Sequence, residues 1–169
     1  MDKIKRKQHQ VFINTTPSAT ATYEQLGADL EELLIESNKN VESTQNILGE
    51  SSVKITNGTE TATVDPIYAD KDTTLFTLLQ GFIDDVSELD DLATDILEVK
   101  AWETPDGTQY PCYKENVYVE ITSRGGDVTG YQIPFNLHLT GTKTLGAYDT
   151  SDGSFAAGTW AAGTFTPAV

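Results

Sequence analysis

Cysteine occurs once in 169 residues, at Cys112, so no intrachain disulfide can form and nothing points to an oxidising compartment. Its neighbours include no cysteine or histidine at metal-ligand spacing, and no histidine in the sequence stands as an obvious base for the thiol. The chain has two histidines, His9 and His138; His138, between Leu137 and Leu139, is expected on the polar face of a strand. No Gly-x-Ser-x-Gly elbow, phosphate loop or dinucleotide fingerprint is present. Long apolar runs are also missing: nothing approaches the roughly 18 residues that span a bilayer. After the basic start, Val11-Phe12-Ile13 gives way at once to Asn14-Thr15-Thr16-Pro17, which leaves no apolar core for a signal peptide. These absences argue against an enzyme, a cofactor, a metal site and a membrane partner, and predict folding in a cytoplasm.

Basic side chains are scarce as well, with 11 Lys and Arg against 26 Asp and Glu and a net charge of −15. Lys3, Lys5, Arg6 and Lys7 against Asp2 give the first ten residues +3, so the remainder carries −18. That field repels phosphate over about one Debye length, about 8 Å, and opposes stable nucleic-acid binding by the folded part. The acidic run Asp84, Asp85, Glu88, Asp90, Asp91, Asp95 and Glu98 supplies the carboxylates a glycosidase needs, but it follows a helical pattern and is studded with Leu89 and Leu92, so it reads as a solvated face. Asp70-Lys71-Asp72 lacks the remainder of an acidic calcium loop.

What the sequence does contain is short alternating runs. Val117, Val119 and Ile121 alternate with Tyr118, Glu120 and Thr122; Ile133, Phe135, Leu137 and Leu139 alternate with Gln132, Asn136, His138 and Thr140; Leu97, Val99 and Ala101 alternate with Glu98 and Lys100. Pro105-Asp106-Gly107 and Ser123-Arg124-Gly125-Gly126-Asp127 separate them as turns, giving an antiparallel meander. Earlier strands are expected near 32–36, 53–56 and 61–64, with Asn57-Gly58 turning between the last two. A single helix is predicted from Leu75, Leu78, Leu79, Phe82, Ile83 and Val86, capped by Asp72 or Thr73. The fold class is therefore mainly β, a sandwich or barrel of antiparallel strands with one flanking α-helix. Residues 1–22, basic and Thr/Ser-rich, read as an arm mobile until a partner orders it. Residues 23–149 form the body, and 150–169 an Ala/Gly/Thr-rich extension. There, Phe155, Trp160 and Phe165 recur at an odd spacing that sends successive aromatics to opposite faces of a strand, either to dock on a neighbour or to pack locally. Pro134 cannot donate a ladder hydrogen bond, so its strand is expected to have edge character, and Gly125, Gly126, Asp127 and Pro134 are candidates for pairing between subunits.

Three stretches carry a resemblance: Asn40–Gly49 (NVESTQNILG), Val64–Ala69 (VDPIYA) and, above all, Gly125–Asn136 (GGDVTGYQIPFN). Together they resemble tail tube (major tail) proteins of long, non-contractile-tailed phages and prophages of Gram-positive bacteria. The likeness spans roughly residues 30 to 148 in order. It implies a β-sandwich with a flanking helix, assembled into hexameric rings that stack into a tube inside the virion's tail. Itself would be the main partner, joined by tape measure, tail terminator and baseplate or initiator proteins, with DNA passing through unbound. Assembly would take place in the bacterial host cytoplasm. Extended loops and termini would reach neighbouring copies. Glu98, Glu103 and Glu120 are the candidates for a lumen lining that repels the passing phosphates. Alternatives are a tube subunit of a tailocin or type VI-like device and a secreted β-sandwich module for carbohydrate.

Overall fold

The structure is a computed structural model that describes residues 2–169. Its strands, in chain order, are β1 (His9–Asn14), β2 (Tyr23–Leu26), β3 (Ile35–Glu36), β4 (Asn40–Gln45), β5 (Ser51–Thr56), β6 (Thr61–Val64), β7 (Ala93–Lys100), β8 (Gln109–Ile121), β9 (Gly125–Gly126), β10 (Tyr131–Gln132), β11 (Phe135–Asp149), β12 (Phe155–Ala161) and β13 (Thr164–Pro167). The helix, α1 (Thr74–Asp84), falls between β6 and β7. Nine strands make one antiparallel sheet in the order β13-β12-β11-β8-β7-β1-β2, with β6 also against β11 and β3 against β6. The mainly β fold with one helix is thus as the alternation and the helical spacing predict.

Alternation decides the layers. On one face Val11, Ile13, Ile96, Val117, Val119, Phe135, Leu137 and Leu139 pack with Leu75, Leu79 and Phe82 of α1. Each of those three helix side chains contributes about 1.5–3 kcal/mol by leaving water. Thr73 caps α1 by accepting the Phe76 N–H at 3.3 Å, and the Glu24 carboxylate accepts the Leu75 N–H at 3.0 Å, so two otherwise orphaned donors are satisfied. On the opposite face Phe12, Leu97, Val99, Cys112 and Tyr148 form a second, smaller core. Phe12 of β1 and Tyr148 of β11 meet at 4.6 Å between ring centroids although β7 and β8 lie between them in the sheet, so the sheet is curled.

Segments near both ends, β1 and β12–β13, belong to this sheet, which corrects the reading of residues 1–22 as a mobile arm and, of the two courses open to 150–169, shows local packing. Val11, Phe12 and Ile13 are buried because β1 pairs with β2 on one side and β7 on the other, filling both cores at once. At the other end β12 pairs with β11 and β13, so the extension packs locally. Phe155 stands opposite Tyr148, Trp160 points to the other face, and Trp160 then meets Phe165 at 5.5 Å across the hairpin.

Two further expectations are revised. Asn57-Gly58 does not turn β5 into β6, since β5 pairs only with β4. Instead Gly58 seats against Asn38, where a Cβ would lie 1.7 Å from the Asn38 carbonyl oxygen. Pro134 lies just before β11, buried, its carbonyl accepting from the Thr122 N–H at 3.0 Å. The strand that follows is flanked by β8 and β6 and has no edge there. Between Leu139, opposite Val117, and Lys143, opposite Glu115, β11 carries a bulge that includes Gly141 at φ +85°.

Candidate functional site

Two apolar surfaces lie outside the cores. The first is the β4–β5 hairpin, in which every residue from Asn40 to Thr56 is exposed. Its register places Val41 opposite Ile55 and Ser43 opposite Val53, so Val41, Val53 and Ile55 share one face, while Glu42 and Lys54 share the other. At the tip Ile47 and Leu48 are fully and four-fifths exposed. The turn that presents them is ordered by Asn46, whose side-chain oxygen accepts the Leu48 and Glu50 N–H groups at 2.9 and 3.0 Å, and by Gly49 at φ +83°. Asn38 pins the base, donating to the Thr59 carbonyl and the Thr61 hydroxyl at 3.0 and 2.9 Å. Such a hairpin, apolar on one face and unsupported, is marginal in water by itself.

The second surface is the shoulder beyond α1. Val86 follows the helix with φ +50° while the Ser87 N–H bonds back to the Phe82 carbonyl at 3.1 Å. Helices that end in this way normally place glycine at that position. A branched residue in the left-handed region costs about 1–3 kcal/mol, and here Val86 is also 75% exposed. Leu89, at φ +52°, is 81% exposed. Beside Val86 runs an open groove of about 610 Å³ lined by the apolar side chains of Phe82, Ile83, Leu92 and Ile121 together with Tyr118, Glu120, Arg124 and His138.

The three carboxylates expected to line a lumen are not brought together. Glu98 lies opposite Tyr113 of β8, and Tyr113 and Glu120 are seven residues apart along that strand, so the two glutamates are on opposite faces. Glu98 is not a free carboxylate: its side chain lies 3.3 Å from His9 Nε2 and accepts from Lys143 Nζ at 3.4 Å. The hydrogen bond to His9 lowers its pKa, burial opposing and Lys143 adding to the effect. It thus belongs to a partly buried cluster with Glu60, Glu115 and the exposed Lys143. Glu103 is in the loop after β7, 3.7 Å from Lys100 Nζ, in a shallow cleft with Trp102 and Trp160. Glu120 is exposed on the polar face of β6, β11 and β8, accepting from Asn136 at 3.2 Å and 2.7 Å from His138 Nε2; that contact with His138 lowers its pKa.

Along the acidic run, Asp84, Asp85, Glu88, Asp90 and Asp91 are exposed as expected. Asp95 is not: it is buried, accepting from Asn14 at 2.9 Å and Tyr23 at 2.7 Å. Burial, then the Asp95 contact, raises the Tyr23 pKa.

Gly125 and Gly126 pair with Tyr131 and Gln132 in a small exposed ribbon of the same chain, where a Cβ on Gly126 would lie 1.9 Å from the Gly130 carbonyl oxygen. Asp127 accepts the Thr129 N–H at 2.7 Å inside that turn, which lowers its pKa. These residues shape a turn, with Val128 fully exposed at its tip. Cys112 is buried, and burial pushes its pKa up to about 12, so it is an unreactive thiol. Among the described residues no group of three or more His, Cys, Asp or Glu is disposed to hold a metal ion, and no helix is long and apolar enough to cross a membrane. No protein-family model matches the chain, and a search of curated proteins finds no similar sequence.

Proposed function

We propose that this protein is a structural subunit that works by assembling with copies of itself into stacked hexameric rings, forming the tail tube of a long-tailed phage. The observation that carries self-assembly is the β4–β5 hairpin: an ordered projection whose apolar face and tip find no cover within their own chain. Exposed apolar area of this kind is stabilised by burial against a partner. The chain also ends its sheet at β2 on one side and at β13 and β3 on the other, leaving backbone groups free to pair with a neighbour.

The tube itself rests on the sequence resemblance, and the charge is in keeping with it. A conduit for DNA has to let phosphates slide past without adhering, and a chain of net −15 offers them little to bind. In this reading the polar face bearing Glu120, Asn136 and His138 turns toward the lumen, and Glu98, on the opposite face and in contact with His9 and Lys143, does not.

Negative-stain electron microscopy of the purified protein at high concentration is the test. Rings or hollow tubes are expected. A strict monomer under all conditions, including with tail-initiating partners, overturns the proposal.

A further inference from the structure

Asn14, Asp95 and Lys114 stand on the three adjacent strands β1, β7 and β8, apart from both exposed apolar surfaces. We propose that they form a self-processing site, in which the Lys114 amine displaces ammonia from the Asn14 carboxamide. The product is an isopeptide bond that ties β1 to β8 across β7.

Each part that such a reaction needs is in place. Asp95 lies between the other two side chains: its Oδ2 accepts from Asn14 Nδ2 at 2.9 Å, and its Oδ1 is 3.8 Å from Lys114 Nζ. Tyr23 donates to that same Oδ1 at 2.7 Å and fixes the orientation of the carboxylate. The Asn14 side-chain oxygen accepts two backbone N–H groups, from Thr16 at 3.0 Å and Thr22 at 3.3 Å. Two such donors polarise the carbonyl and hold the negative charge that develops on its oxygen when a nucleophile adds. A turn-forming asparagine needs the Thr16 contact alone; the Thr22 N–H comes from the far end of the β1–β2 loop.

The sheet register puts Lys114 opposite Leu97, on the face that Leu97 shares with Asp95. Asn14 is 4% and Asp95 8% exposed, at the border of the smaller core, so the carboxamide is shielded from water. The lysine stem is one-third exposed, and besides Asp95 its ammonium meets only the Phe155 ring, at 5.7 Å from the centroid. It is therefore free to swing from the carboxylate to the carboxamide carbon.

The steps balance. Asp95 takes a proton from the Lys114 ammonium, and the freed lone pair bonds to Asn14 Cγ while the C=O π pair moves onto oxygen. Asp95 returns the proton to Nδ2, the C=O re-forms, and the Cγ–Nδ2 bond breaks. The surplus proton on the new amide nitrogen leaves with the ammonia as ammonium, so Asp95 ends as it began and no further reactant is consumed. Holding amine and amide together in the folded chain replaces external activation.

Intact-mass spectrometry of the purified full-length protein is the test. A mass lower than that of the sequence by one ammonia is expected, with a branched tryptic peptide joining residues 8–39 to 101–124, because trypsin does not cut at an acylated lysine. The branched peptide distinguishes this bond from ammonia lost within one segment, as at Asn57-Gly58. Lys114→Arg keeps a cation beside Asp95 but no nucleophilic amine, and is expected to retain the full mass. Asp95→Asn, shown to be folded by circular dichroism, is expected to retain it too. Folded parent protein that has the full mass and releases residues 8–39 and 101–114 as separate peptides overturns the proposal. So does folded Asp95→Asn protein that still forms the branched peptide, or Lys114→Arg protein that still loses ammonia.

Discussion

Glu115 presents a conflict at the scale of a single side chain. It is 2% exposed, one carboxylate oxygen accepts the Gly141 N–H at 2.6 Å, and the other has no hydrogen bond, only Lys143 Nζ at 3.8 Å. Burial raises its pKa, with the Gly141 N–H and Lys143 opposing. Burial works against the Lys143 charge too, but Glu98, Glu60 and Glu115 outweigh it and raise that pKa. A raised carboxyl pKa means the folded state holds its proton more tightly than the unfolded chain, whose value is about 4.3. Glu115 therefore costs stability as pH rises from that ordinary value through the raised one, and costs nothing below it. Glu115→Gln keeps an acceptor for Gly141; it is expected to raise the urea midpoint at about pH 7 and to leave it unchanged near pH 4. Equal midpoints for the two proteins at neutral pH would mean that Lys143 fully offsets the burial. None of this cluster was legible in the sequence. The alternation within β7 set Glu98 on a polar face, but residues 94–97 are buried on both sides, and the partners Glu60, Glu115 and Lys143 arrive from three other segments.

At the scale of elements, legibility followed the range of the interaction. The spacing of Leu75, Leu79 and Phe82 gave α1, and Thr73, one of the two caps considered, holds its first turn. Thr73→Ala removes an acceptor for the Phe76 N–H while the Glu24 contact to Leu75 persists. A loss of about 1 kcal/mol is expected, which for a chain of this size lowers Tm by about 2–4 °C. An unchanged melting curve would place the whole burden of capping on Glu24. The end of β8 and the start of β11 were equally plain, because Val117–Ile121 and Phe135–Leu139 alternate, whereas residues 109–116 and 141–149, which extend the two strands, carry no such signal. The apolar part of β1 was too short a run to declare itself, and only the pairing with β2 and β7 from distant positions makes it core. The same blindness applies to Asn57-Gly58, which has good turn chemistry but serves a close approach to Asn38. Alternation says which residues of one strand share a face. It does not say which strands will be neighbours, and whether Glu98 and Glu120 share a face and whether Pro134 lies at an edge both depend on those neighbours.

For the whole molecule, charge and apolar surface pull in opposite directions. Copies of net −15 repel, while the hairpin and the Val86 shoulder favour contact. Screening should tip that balance. Raising sodium chloride from about 50 to about 500 mM shortens the Debye length several-fold, so light scattering is expected to detect assembly at lower protein concentration in the higher salt. The opposite trend would mean that ion pairs such as those available to Lys39 and Lys54, and not apolar burial, hold copies together.

The bulge in β11 has one more implication, for how this chain can change length. Leu139 and Lys143 are four residues apart where their partners Val117 and Glu115 are two apart, so the excess is an even number. The strand therefore re-enters the ladder with Lys143 and Ala147 on the side they would have occupied in an unbroken strand. Insertions or deletions at 140–142 that preserve this parity keep the remainder of β11 in phase. A single-codon indel would turn Tyr148 away from Phe12 and Lys143 away from Glu98, making the bulge a two-step counter on which sequence drift can proceed only in pairs.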